Sequence, residues 1–279
     1  MSKVTVAAFG KMKKSAEKIA MLTAYDFTMA KILDASVDAI LVGDSLGMVM
    51  LGYPDTTQVT MDDMLHHTKA VSRGVERAML IADMPFLSYH LGTTQSVKNA
   101  GRLIQEGHAQ AVKLEGGREI IPEIEAIVRA GIPVMGHLGL TPQSIHSIGG
   151  YFVQGKSQEQ AKKLIEDAMA LEASGVFAIV LECVPMELAT IITQKIAVPT
   201  IGIGAGAGCD GQVLVVHDLI GMYQGKVGKF VKQYGQVGSV VETAISEFVK
   251  EVKNGAFPEE QHNFYMENNE FKQLIGEQK

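Results

Sequence analysis

The chain has 279 residues, 47% of them hydrophobic and 20% charged, with a net charge of −6. This balance excludes a mostly disordered chain and argues against binding nucleic acid through phosphate neutralisation. No apolar stretch spans a bilayer, residues 1–14 hold no apolar signal core, and two cysteines cannot make a disulfide framework, so a cytoplasmic protein is expected.

Residues 1–18, with their lysines, read as a solvated lead-in. Short apolar runs then alternate with helical patterns. Ile19–Thr23 reads as a strand before a helix at Thr28–Ala35, and Ala39–Val42 as a strand before a Gly-rich loop and a helix at Met61–Arg73. Ala78–Ala82 precedes a helix at Thr94–Gln105, and Ala111–Leu114 precedes one at Glu119–Arg129. A fifth strand, Ile132–Met135, leads into a loop at Thr141–Ser157 and a helix at Gln158–Ala173. The sixth, Val176–Leu181, leads into a helix at Met186–Lys195, and Pro199–Ile203 and Gln212–Val216 complete eight. A last helix, Ser239–Val252, is followed by a polar tail at 259–279. Runs of four to six apolar residues suit strands buried on both faces. Eight of them at roughly 30-residue intervals predict an α/β fold, a (β/α)₈ TIM barrel in one domain over 1–279. A doubly wound sheet is the runner-up, but Thr23-Ala24-Tyr25-Asp26 stands where its glycine fingerprint belongs.

Four of the runs end in a carboxylate: Asp44, Asp83, Glu115 and Glu182. Barrel active sites lie at the C-terminal ends of the strands, so all four open on one rim, with His137 after the fifth run. A lone acid there is often a cap or a loop hydrogen bonder. Several together point to a hard cation such as Mg²⁺, which takes oxygen ligands and leaves positions for a 2-oxo acid. Asp44, Asp83 and Glu115 follow neighbouring runs and form the metal side. Lys113 opposes Leu114, and sharing the face of Glu115 is taken to require a break in the pleat. Either a substrate carboxylate or a structural acid can satisfy it. Gly202-Ile203-Gly204-Ala205-Gly206 is a weak phosphate-loop signal, Cys183 reads as a small buried residue, and His66 and His67 as helix decoration.

Taken in order, Thr23–Asp26, Leu41–Gly47, Lys113–Gly117, Gly136–Gln143, Leu181–Pro185 and Gly202–Gln212 resemble the ketopantoate (3-methyl-2-oxobutanoate) hydroxymethyltransferase family. The resemblance implies a phosphoenolpyruvate mutase-like barrel. It implies transfer of a hydroxymethyl group from 5,10-methylenetetrahydrofolate to 3-methyl-2-oxobutanoate through a Mg²⁺-stabilised enolate, giving 2-dehydropantoate on the way to pantothenate. It also implies Asp44, Asp83 and Glu115 as metal-side residues and Asp44, Ser45, Asp83 and Lys113 as keto-acid contacts. Glu182 becomes the catalytic proton acceptor, His137 a possible accessory group, and the assembly a homodecamer. Another Mg²⁺-dependent 2-oxo acid lyase or mutase, a phosphate-binding barrel and a noncatalytic assembly protein are the competing readings.

Overall fold

The computed structural model describes residues 3–223 and 225–276. Eight parallel strands close into a barrel: β1 (Ile19–Thr23), β2 (Ala39–Val42), β3 (Met79–Asp83), β4 (Ala111–Glu115), β5 (Val134–Gly139), β6 (Ala178–Glu182), β7 (Thr200–Ile203) and β8 (Gly211–Leu214), which pairs back onto β1. The strands alternate between two cores, because successive side chains point to opposite faces. Ile19, Met21, Leu41, Met79, Ile81, Met135, Val180 and Val213 fill the interior. Their neighbours Ile40, Leu80, Val112, Leu114, Ile179 and Leu181 pack outward beneath the helices. That double burial is why the strands read as unbroken apolar runs.

The lead-in is solvated only on one side: Lys3, Lys11, Lys14 and Lys18 are exposed, but the segment also packs against the barrel. Val6–Lys14 is a helix whose Phe9 and Met12 are buried in the interior cluster. Phe9 meets Phe177 edge-on, with ring centroids 5.6 Å apart. Lys13 Nζ donates to the carbonyls of Thr193 and Val198 at 2.8 and 3.0 Å and pairs with Asp210 at 3.0 Å. The helix period explains this: Phe9, Met12 and Lys13 stand at i, i+3 and i+4 and share the barrel-facing side, while Lys11 and Lys14 take the exposed one.

The helical ring is incomplete. Among the described residues no helix lies between β7 and β8, and β8 is followed by the single turn Val216–Leu219 before the helix Val237–Asn254. The helix Val237–Asn254 buries no residue and leaves Val240, Ile245 and Phe248 66%, 57% and 54% exposed. The tail is less polar than its composition suggests, since Phe264, Tyr265 and Phe271 stand exposed in it.

Candidate active site

The carboxylates reach the cavity by strand alternation. Met79, Ile81 and Asp83 form one inward column of β3, and Ala111, Lys113 and Glu115 the same column of β4. The acid is in each case the last rung, and both Asp83 and Glu115 belong to their strands rather than following them. Lys113 and Glu115 share a face because they are two residues apart. β4 pairs in register with β5 from Val112 to Glu115, so the expected break in the pleat is absent. On β2 the column runs to Gly43, where a side chain would strike Ser45 Oγ at 2.8 Å. Gly43 therefore leaves room for the Ser45 hydroxyl, and beside it the Asp83 carboxylate accepts a hydrogen bond from the Asp44 amide at 3.1 Å.

Asp44, Asp83, Lys113, Glu115 and His137 are all buried, and they form one network. Lys113 Nζ lies 2.9 Å from Asp83 Oδ1 and 3.9 Å from Glu115 Oε1. His137 Nδ1 lies 3.3 Å from Glu115 Oε1, and its Nε2 lies 3.3 Å from Glu182 Oε2. The Lys113–Asp83 and His137–Glu182 approaches are close in distance but not aligned as hydrogen bonds, so Asp83 Oδ1 and His137 Nε2 are buried without a hydrogen-bond partner. Tyr25 shares a 2.8 Å hydroxyl contact with Ser45 Oγ.

The protonation of these groups follows from burial and from one another. Burial raises the carboxyl of Asp44 well above the usual range, and the charges of Asp83 and Glu115 raise it further. Asp83 is raised by burial against the pull of Lys113. For Glu115 burial acts upward but is outweighed by His137 and Lys113, which hold it below its ordinary value. Burial opposes the charge on Lys113, yet the surrounding carboxylates raise its value above that of a free lysine. Burial and Lys113 likewise work against a charged His137, but Glu115 and Glu182 prevail and raise it to about 9.

Glu182, at the end of β6, is only half-buried, with its side chain 15% exposed. Cys183 beside it is half-buried rather than buried, at φ +48°, and burial raises its thiol to about 11. A thiol so raised is a poor nucleophile.

All of these groups except Tyr25 line one cavity of about 520 Å³. Its wall carries Met48, Val49, Tyr151, Val153, Val227 and Phe230, with Lys226 and Lys229 toward the outside. A second, open depression beside Ile148, Phe152 and Gln160 has no converging acids. Of the Gly-rich segment after β7 only Ile203 reaches the cavity, and side chains at Gly204 and Gly206 would strike Phe230 and Met186. Its glycines are thus explained by packing. His66 is exposed on its helix, and His67 Nδ1 contacts the Tyr25 carbonyl at 2.7 Å.

Two buried residues had no role from sequence. Gln143, on the turn Pro142–Ser144, donates through Nε2 to Asp44 Oδ2 at 2.8 Å and to the Met84 carbonyl at 2.9 Å, and its amide donates to Glu115 Oε2 at 3.0 Å. Tyr89 donates to Gln143 Oε1 at 2.7 Å and contacts the backbone of Glu115. Gln143 lies inside a motif segment, but nothing in the sequence shows what it reaches.

The donor chemistry suits a hard divalent cation. The oxygens come from carboxylates, and Asp83 Oδ1 is buried and lacks an aligned hydrogen bond although Lys113 lies 2.9 Å away. Burial beside Asp83 and Glu115 disfavours the charged form of Asp44, a cost that a bound cation would relieve. Among the described residues, no three His, Cys, Asp or Glu side chains already converge as a closed ligand set.

A family model described as ketopantoate hydroxymethyltransferase matches residues 3–260. The 3-methyl-2-oxobutanoate hydroxymethyltransferase of Acetivibrio thermocellus is 61% identical over 94% of this chain and 93% of its own length. That of Thermoanaerobacter sp. strain X514 is 59% identical over 97% of this chain and 99% of its own. Among solved structures, the phosphoenolpyruvate phosphomutase of Streptomyces platensis subsp. rosaceus superposes with a TM-score of 0.61 at 14% identity, covering 97% of this chain and 95% of that one, a likeness of fold. With a near full-length family match and relatives of this identity, the chain belongs to the ketopantoate hydroxymethyltransferase family.

Proposed function

We propose that Asp44, Asp83, Glu115, Lys113 and Glu182 divide the work of hydroxymethyl transfer at this barrel mouth. The chain is a hydroxymethyltransferase of the first step of pantothenate synthesis. The reaction takes the one-carbon unit of 5,10-methylenetetrahydrofolate and, with water, adds it to 3-methyl-2-oxobutanoate, giving 2-dehydropantoate and tetrahydrofolate. The observation that carries the assignment is the single cavity that joins a buried acid–lysine floor to the more open Glu182 across His137.

Asp44 and Asp83 would hold Mg²⁺, with Glu115 reaching it directly or through water. Bound there, the ion supplies Lewis-acid polarisation of the keto oxygen. Lys113 pairs with the keto-acid carboxylate and fixes its orientation, and Ser45, held by Tyr25, presents its hydroxyl beside it. Glu182 accepts the C3 proton, and His137, close to both Glu182 and Glu115, supports charge on that carboxylate. The apolar wall around Met48, Tyr151 and Phe230 fits the ring system of the folate co-substrate.

We further propose a single barrel domain over 1–279, a homodecamer and a cytoplasmic location. The exposed apolar face of Val237–Asn254 supports assembly, and two free cysteines suit a reducing compartment. No helix among the described residues is long and apolar enough to cross a membrane.

The test is to mix the protein with both substrates and Mg²⁺ and assay 2-dehydropantoate, then titrate Asp44→Ala and Asp83→Ala with Mg²⁺ plus keto acid by calorimetry. Each variant is expected to bind Mg²⁺ more weakly than the parent. Unchanged titrations sink the ligand assignment, and release of a cleavage product from a 2-oxo acid would favour a lyase instead.

A further inference from the structure

We infer that Gln143 is a positioning residue that sets the separation and orientation of Asp44 and Glu115, and through them the affinity of the site for a divalent cation. The inference rests on the reading that these acids face Mg²⁺.

Asp44 follows β2 and Glu115 ends β4, with Asp83 of β3 between them. The sheet fixes Asp83 and Glu115 by their strand pairing, but Asp44 lies beyond the last paired residue of β2. Its carboxylate needs another support, and Gln143 supplies one from the loop after β5. The side-chain amide takes Asp44 Oδ2, while the main-chain amide of the same residue takes Glu115 Oε2. One residue thereby spans the acids on either side of Asp83. It claims one oxygen of each and leaves the second oxygen of each outside its grasp. For Glu115 that second oxygen, Oε1, is the one turned to His137 and Lys113.

The orientation of the Gln143 amide is fixed by its neighbours. Nε2 faces two acceptors, Asp44 Oδ2 and the Met84 carbonyl, while Oε1 faces the Tyr89 hydroxyl. A flipped amide would set its oxygen against both acceptors and its NH₂ against the hydroxyl that donates to it. Gln143 is itself buried, so these bonds are shielded from water. Groups that hold metal ligands in this way typically change affinity by about 10–100-fold when removed.

The closing experiment compares the parent with Gln143→Met, which keeps the length of the side chain and removes its donors and acceptor. The main-chain bond to Glu115 survives in the variant, so only the Asp44 arm is tested. Mg²⁺ is titrated calorimetrically in the presence of 3-methyl-2-oxobutanoate, and kcat is measured across Mg²⁺ concentration. The expected result is Mg²⁺ binding weakened about 10-fold or more, with kcat recovering as Mg²⁺ is raised. A purely structural role instead lowers kcat alike at every Mg²⁺ concentration. If Gln143→Met does not fold, Tyr89→Phe removes the hydroxyl that holds the amide and is expected to weaken Mg²⁺ binding by a smaller factor. A parent that binds Mg²⁺ alongside a folded variant that binds it equally well overturns the role of Gln143 and leaves the cation reading standing. A parent that shows no Mg²⁺ binding overturns that reading, and the inference with it.

Discussion

The two ends of this barrel use the same strand geometry for opposite purposes. At the bottom, inward positions carry Ile19, Met79 and Ala111, closed by Phe9 from the N-terminal helix. At the top, the same columns end in Asp83 and Glu115, with Lys113 one rung below. Burial at the lower end removes apolar surface from water and stabilises the fold. Burial at the upper end raises Asp44 and Asp83 and is offset only in part by Lys113. Burial thus stabilises the fold at one end and disfavours the charged forms of acids at the other.

The comparison can be broken most sharply at Glu182. Glu182→Gln is expected to leave keto-acid binding largely intact while removing exchange of the C3 proton with solvent deuterium, a loss of about 10²–10⁴-fold if the carboxylate is the general base. Normal exchange in that variant, followed by NMR, would take Glu182 out of the role. The lower end is tested by Phe9→Ala. It should cost about 3–5 kcal/mol of stability in denaturant titrations, yet leave deuterium exchange at the parent rate well below the melt. A slowed exchange in the folded variant would show that the two ends are coupled.

Smaller effects sharpen the picture. His137 is raised to about 9 in the fold, above its ordinary value, so the folded protein holds that proton more tightly than the unfolded chain. Its contribution is complete below about pH 6.5 and lost as pH rises through about 9. The metal-free protein should therefore melt at a lower temperature at pH 9.5 than at pH 6.5, and His137→Gln should flatten that part of the profile. Asp44 is also raised, and for an acid the sign reverses: above its ordinary value the fold is burdened by a charge it disfavours. Asp44→Asn should raise the Tm of the metal-free protein at pH 7, at about 2–4 °C for each kcal/mol relieved. A lowered Tm would mean that Lys113 already compensates Asp44.

Much of this was readable along the chain. Apolar runs of strand length, each closed by an acid, located β2, β3, β4 and β6 and the residues of the rim. The strand ends were less legible. β5 was expected to stop at Met135 but runs through His137 to Gly139, because its pairing with both β4 and β6 continues past the apolar residues. The N-terminal helix is hard to read from the chain because it is short and its lysines break the apolar pattern, whereas its two buried residues decide its position.

By itself, the sequence determined the barrel, the family and the acids that close its apolar runs, since run length, motif order and residue identity are properties of the chain alone. Tertiary structure decided which polar groups meet. Gln143 reaches Asp44 across 99 positions and Tyr89 across 54. Barrel closure alone makes such distant residues neighbours, and burial then makes their hydrogen bonds and charges strong enough to govern one another.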